Sequence, residues 1–305
     1  MKSSFYTILN LHGFLSLVGP DSAKFLQGQT TCDLDKVDQN HATLGAYCTP
    51  KGRMISSFLV ASPVENTIHL RMRRDICEST LAVLSKYIVF SKAEISDTSE
   101  NLTAIGFYGT ESAKWLQEIF GELPSQQYAA KTLDGKTLIQ LDQVGEQFEL
   151  WLNAESLNTV LDSCPITEAP LDPWIETNIA AGIGEVCAAT QEEFIPQMLN
   201  MDITGAVSFS KGCYTGQEVV ARMHYRGKSK RRQYAATFNE EQTVFEGAEV
   251  RLEKDSQAVG HVVLATDKAA LLVLTEEAAQ QTQLLLGDKT VGLSFKTLPY
   301  SLDPK

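Results

Sequence analysis

The 305-residue chain is 43% hydrophobic and 21% charged, a balance of globular proteins, and its length suggests two or three domains around separate cores. No apolar run approaches the roughly 18–20 residues of a membrane span, and Met1 to Asn10 lacks the pattern of a secretory signal or an Arg-rich transit peptide, so a cytoplasmic protein is expected. A net charge of −12 argues against strong direct binding to nucleic acid or membrane, and six scattered cysteines without C-x-x-C or Cys/His zinc spacing read as reduced thiols with no metal site.

Along the chain, Phe5 to Val18 is a strand region, and Asp21-Ser22 predicts the cap of a helix through about Gln29. Ala42 to Cys48 and Met54 to Ala61 read as strands joined by the turn Thr49-Pro50-Lys51-Gly52. Thr67 to Met72 is a third strand. Asp75 then predicts the cap of a helix that aligns Ile76, Leu81, Leu84 and Ile88. A second set follows: strand Leu102 to Tyr108, helix Thr110 to Phe120, strands Thr137 to Leu141 and Phe148 to Leu152, helix Ala154 to Ser163. Pro165, Pro170 and Pro173 break the chain before Trp174. From Gln233 onward short strands dominate (Tyr234–Phe238, Glu249–Leu252, Ala258–Ala265, Ala270–Thr275, Thr290–Phe295), separated by Gly247, Gly260 and Gly287, which predicts a small C-terminal β-barrel.

The chemistry concentrates in Lys211-Gly212-Cys213-Tyr214-Thr215-Gly216-Gln217-Glu218. A cysteine stands between two glycines, and the helix-favouring run Val219 to Met223 follows at once. A helix starting near Gly216 aims unpaired N–H groups back at the loop, and together with Lys211 it favours the thiolate of Cys213. A small buried hydrophobe is the other reading of an unpaired cysteine. Just beyond lie Arg222, Arg226, Lys228, Lys230, Arg231 and Arg232, with His224 and Tyr225 among them. They form either a solvated basic face or an anion-holding patch suited to carboxylate tails or phosphates.

The segment Phe194 to Lys230, FIPQMLNMDITGAVSFSKGCYTGQEVVARMHYRGKSK, resembles the hallmark of the YgfZ-type folate-binding, tRNA-modifying proteins. DSAKFLQGQTTCD at Asp21 to Asp33, KYIVFSK at Lys86 to Lys92 and LPYSL at Leu298 to Leu302 extend the resemblance over nearly the whole chain. It implies a mixed α/β fold of the aminomethyltransferase type, with two interleaved α/β domains and a terminal barrel around a central channel for tetrahydrofolate. The expected division is 1–30 with 100–165, 31–99 with 166–228, and a barrel from 229 to 305.

The same resemblance implies that Trp174 stacks on the folate ring, that His12 replaces a second folate-linked tryptophan, and that Asn178, Gln197 and Asn200 line the ligand. Phe194, Ile195, Pro196 and Met198 have a plainer reading as channel wall, and Gln197, Asn200 and Asp202 as groups that satisfy loop backbone. Two positions depart from the transferases. The glutamate that grips the pterin there is Ala180 here, and the catalytic aspartate is Ser56, which cannot act as a carboxylate base.

The expected function is therefore a folate-binding accessory factor for iron–sulfur enzymes, including those that thiolate or methylthiolate tRNA, without turnover of its own. Cys213 would be the redox or transient-ligand thiolate, tuned by Lys211. Gly212 and Gly216 would permit the loop, while Tyr214, Gln217 and Glu218 orient neighbours or hold a ligand. One thiol cannot hold a stable cluster, so no resident metal is expected. The alternatives are a folate-dependent one-carbon transferase or demethylase, and a pure binding module that docks a partner on Arg222 to Arg232.

Overall fold

The computed structural model of the chain describes residues 3–252 and 257–302. The chain divides into two compact units, Met1–Gly45 with Phe58–Trp174, and Ala46–Ser57 with Ile175–Lys305. No helix among the described residues is long and apolar enough to cross a membrane.

The elements run, in chain order, β1 (Phe5–Ile8), β2 (His12–Val18), α1 (Ser22–Gln27), β3 (Thr43–Cys48), β4 (Met54–Val64), β5 (Thr67–Arg73), α2 (Cys77–Leu84) and β6 (Glu94–Asp97). Then come β7 (Leu102–Tyr108), α3 (Thr110–Phe120), β8 (Ala130–Leu133), β9 (Lys136–Gln140), β10 (Gln147–Asn153), α4 (Leu157–Asp162), α5 (Leu171–Ala181) and α6 (Gln217–Arg226). The last strands are β11 (Arg231–Phe238), β12 (Glu249–Arg251), β13 (Ala258–Ala265), β14 (Ala269–Thr275), β15 (Gln283–Leu286) and β16 (Lys289–Lys296).

Two five-stranded sheets carry the first half of the chain, in the orders β1-β7-β10-β9-β8 and β3-β4-β5-β2-β6. Strand period explains how the first of them fills two cores at once. Ala104 of β7 and Trp151 of β10 face Phe14 and Leu59 of the other sheet, and Phe14 meets Trp151 edge to face at 5.3 Å. Their neighbours Ile105, Phe107, Leu150 and Leu152 turn the opposite way, onto Trp115, Leu116 and Phe120 of α3 and Val160 of α4. Burying each such side chain is worth about 1.5–3 kcal/mol. Among the described residues a buried ion pair crosses between the sheets. Arg71 Nε lies 3.0 Å from Glu149 Oε2, which also accepts the Trp151 indole N–H at 2.8 Å. With both charges partnered, removing one alone is the costly change.

The second unit holds the hairpin tip Ala46–Ser57 and the chain beyond Ile175. It ends in a closed six-stranded barrel, β11-β14-β13-β12-β15-β16. Val250, Val262, Leu272, Leu274, Leu284 and Leu293 fill its interior.

Four local expectations are corrected. Asp21 precedes α1 but makes no side-chain cap; its carboxylate accepts the Lys92 N–H at 2.7 Å instead. Asp75 lies inside a short 3-10 turn, Arg74–Ile76, that leads into α2, and Ile88 belongs to a separate turn, Ile88–Phe90. The prolines do not keep the chain irregular up to Trp174, because α5 spans Leu171–Ala181. Pro173 sits in its first turn, where a missing N–H costs nothing. Strands β6, β8 and β15 add short pieces that show no clear apolar alternation.

Candidate functional site

The loop around Cys213 is shaped by what lies beneath it within the second unit. After β3 the chain turns tightly, with Gly52 N–H on the Thr49 carbonyl at 2.8 Å and Thr49 N–H on the Arg53 carbonyl at 2.7 Å. Gly216 caps α6 in the left-handed region, at φ 84°. A Cβ there would lie 2.5 Å from the Thr49 carbonyl oxygen and 3.0 Å from Cys48 Cβ, so only glycine fits. Gly52 is also left-handed, and its missing side chain leaves room for Val219 of α6. Gly212 differs, since a Cβ on it would meet open space.

Along the loop, Gly212 and Cys213 face solvent, Tyr214 is buried, and Thr215 to Gln217 are half-buried. Tyr214 is 7% exposed. Its hydroxyl is buried with no hydrogen-bond partner, and burial, then the nearby Cys48, raises its phenol above the usual range. Cys48 is itself buried, and burial pushes its thiol up to about 12. Lys211 Nζ stands 5.4 Å from the centre of the Tyr214 ring, a cation–π contact. Cys213 is exposed. Of the six free thiols it alone is so among the described residues; Cys32, Cys48, Cys77 and Cys187 are buried and Cys164 is half-buried. Gln217 and Glu218 open α6, with Gln217 N–H on the Tyr214 carbonyl at 3.2 Å and Glu218 exposed.

The hairpin strand after the turn holds the next segment of the unit. Met54 N–H donates to the Phe194 carbonyl at 2.8 Å, and the Arg53 guanidinium donates to the Glu193 carbonyl. Ser57 Oγ accepts the Val186 N–H at 2.8 Å. Its neighbour Ser56 is fully buried and its hydroxyl has no partner.

A second cluster joins the Phe194 segment to the first barrel strand. Gln197 Nε2 donates to the Val220 carbonyl at 2.8 Å. Its Oε1 is a buried acceptor without a partner. Asn200, left-handed at φ 57°, donates to the Gln233 carbonyl at 2.9 Å and to Tyr300 Oη at 3.4 Å. Arg232 grips both carboxylate oxygens of Asp202, at 2.6 and 3.0 Å. Asn178 lies half-buried on α5 and accepts the Ile183 N–H through its carbonyl at 3.0 Å. Ala180 is exposed.

Two of the expected folate residues belong to the first unit. His12, 8% exposed, pairs in register with Arg73. Trp174 is 1% exposed and covers Gly106, where a Cβ would lie 2.7 Å from its six-membered ring. The basic residues Arg222, Arg226 and Lys228 are all exposed. Sequence reasoning missed the buried partner Cys48 and the anchoring role of Ser57. No local signal marks either one, because their contacts span more than a hundred residues.

Residues 10–162 match the family of the GCVT N-terminal domain. The chain is 33% identical over 298 residues to the tRNA-modifying protein YgfZ of Yersinia pestis (strain Pestoides F), covering 94% of this chain and 90% of that protein. It is 31% identical to the protein of the same name from Escherichia fergusonii, with the same coverage. In structure it is similar to the glycine cleavage system aminomethyltransferase T from Bartonella henselae, with a TM-score of 0.75 over 97% of this chain and 86% of that one, at 14% sequence identity.

Proposed function

Because the chain belongs to the YgfZ family of tRNA-modifying proteins, we propose that it is a folate-binding accessory factor for the iron–sulfur enzymes that thiolate or methylthiolate tRNA. The observation that carries this reading is the exposed thiol of Cys213, held on a loop that packs at Gly216 against the Thr49–Gly52 turn. A thiolate binds iron and sulfur species well. As a single ligand it can hold them only in transit, with the remaining ligands supplied by a client enzyme or a small thiol. Lys211, Tyr214 and Gly216 set where that sulfur stands, and Gln217 and Glu218 set the start of the following helix.

For the folate, the fit rests on Gln197, whose buried Oε1 is an unmet acceptor that matches the donor-rich N–H edge of a pterin. Asn178, half-buried on α5, is a further polar candidate, and His12, Trp174 and Asn200 remain part of the proposal. Tetrahydrofolate would supply an oxidisable ring system able to carry a one-carbon unit when bound. The three-part division at 1–30 with 100–165, 31–99 with 166–228 and 229–305 belongs to the same proposal. So does a cytoplasmic setting.

Two experiments test it. In cells relying on this protein, Cys213→Ala should depress tRNA methylthiolation and iron–sulfur enzyme activity; unchanged levels of both would defeat the assignment. Tetrahydrofolate should quench tryptophan fluorescence saturably, and a flat titration would remove folate from the account. The domain match and the shared fold favour a second reading, a one-carbon transferase. Against it stand the buried Ser56 and the exposed Ala180, where the resemblance to the transferases implies an aspartate and a glutamate. Turnover of tetrahydrofolate with a methylamine donor would decide for that reading.

A further inference from the structure

The exposed end of α6 carries a feature that neither folate nor the thiol explains. Phe209 lies four residues before Cys213, and its ring stacks on His224 with centroids 3.7 Å apart and planes 13° from parallel. Tyr225 stands edge-on to both, at 6.1 Å from Phe209 and 4.8 Å from His224. Its side chain is 67% exposed. Arg222, Tyr225 and Arg226 are spaced i, i+3, i+4 and so share one helix face, and Lys228 and Lys230 follow directly, all exposed. From Gln217 to Lys230 there are four Lys/Arg residues and one acidic residue, Glu218. The local sign is thus opposite to that of the whole chain, whose charge is −12.

We propose that this face binds single-stranded RNA, with an unpaired base stacking on Tyr225, which the Phe209–His224 stack supports from the side, while Arg222, Arg226, Lys228 and Lys230 hold phosphates. An exposed aromatic ring beside cations is the composition of single-strand binding surfaces, where bases stack and the backbone is neutralised. An acidic peptide would use the cations and leave the rings idle. The surface is short and the rest of the chain repels a polyanion, so binding is modest and strongly dependent on salt. The inference stands apart from the folate and thiol reading, because none of these residues is Cys213 or a proposed folate contact.

The test is fluorescence anisotropy of the full-length protein with a labelled oligouridylate of about twelve nucleotides, within the usual site size. Four phosphate contacts predict a log–log salt slope of about −3. Tyr225→Ala should weaken binding by about fivefold or more with the slope kept, and Tyr225→Phe should restore it. Arg226→Gln should weaken binding and flatten the slope by about 0.7. All three changes are at exposed positions, so superimposable thermal melts are expected. No binding at low salt, or an affinity indifferent to Tyr225→Ala, overturns the proposal. An oligoglutamate peptide that displaces the RNA with equal affinity also overturns it, marking a general anion patch.

Discussion

The eight residues from Lys211 to Glu218 split into a floor and a rim that obey different rules. On the floor, Tyr214 and Gly216 are packed against Cys48 and the Thr49–Gly52 turn, and shape decides which residues fit. On the rim, Gly212, Cys213 and Glu218 are exposed, and a side chain at position 212 would meet open space. Adjacent residues of one motif are therefore retained for separate reasons. The floor fixes a backbone path, and the rim presents a sulfur on it.

Substitutions can break this division. Tyr214→Ala empties a buried aromatic site and should cost about 3–5 kcal/mol, read as a lower urea midpoint. Gly216→Ala should cost about 2–3 kcal/mol, because left-handed strain is added to an overlap with the Thr49 carbonyl. Gly212→Ala, four positions before Gly216 in the same loop, should change stability by less than about 0.5 kcal/mol. Equal losses at the two glycines would erase the distinction. Tyr214→Phe removes a hydroxyl that has no partner and should leave stability unchanged or raise it by up to about 1 kcal/mol. Cys213→Ala should fall within about 0.5 kcal/mol of the parent, so that any functional defect is chemical rather than structural.

Much of this was legible in the sequence, unevenly. Helix α3 showed itself through spacing alone, since Trp115, Leu116 and Phe120 recur on one side, and its predicted bounds match the observed Thr110–Phe120. The barrel was legible from its punctuated strands, although β15 was not, its four residues lacking alternation. Helix α5 was hidden because Pro173 reads as a breaker anywhere except in a first turn. Within the loop, the two glycines look identical in sequence. What separates them is the carbonyl of Thr49, more than a hundred and sixty positions earlier in the chain, which local patterns do not encode. The same holds for Gln197 and Asn200, whose amides meet Val220 and Gln233.

Native alkylation followed by peptide mass spectrometry tests the floor-and-rim account most directly. With iodoacetamide at neutral pH and no denaturant, Cys213 should be modified first and to completion, while Cys48 stays unmodified until the protein unfolds. Protection of Cys213, or labelling of Cys48 at a comparable rate, would contradict it.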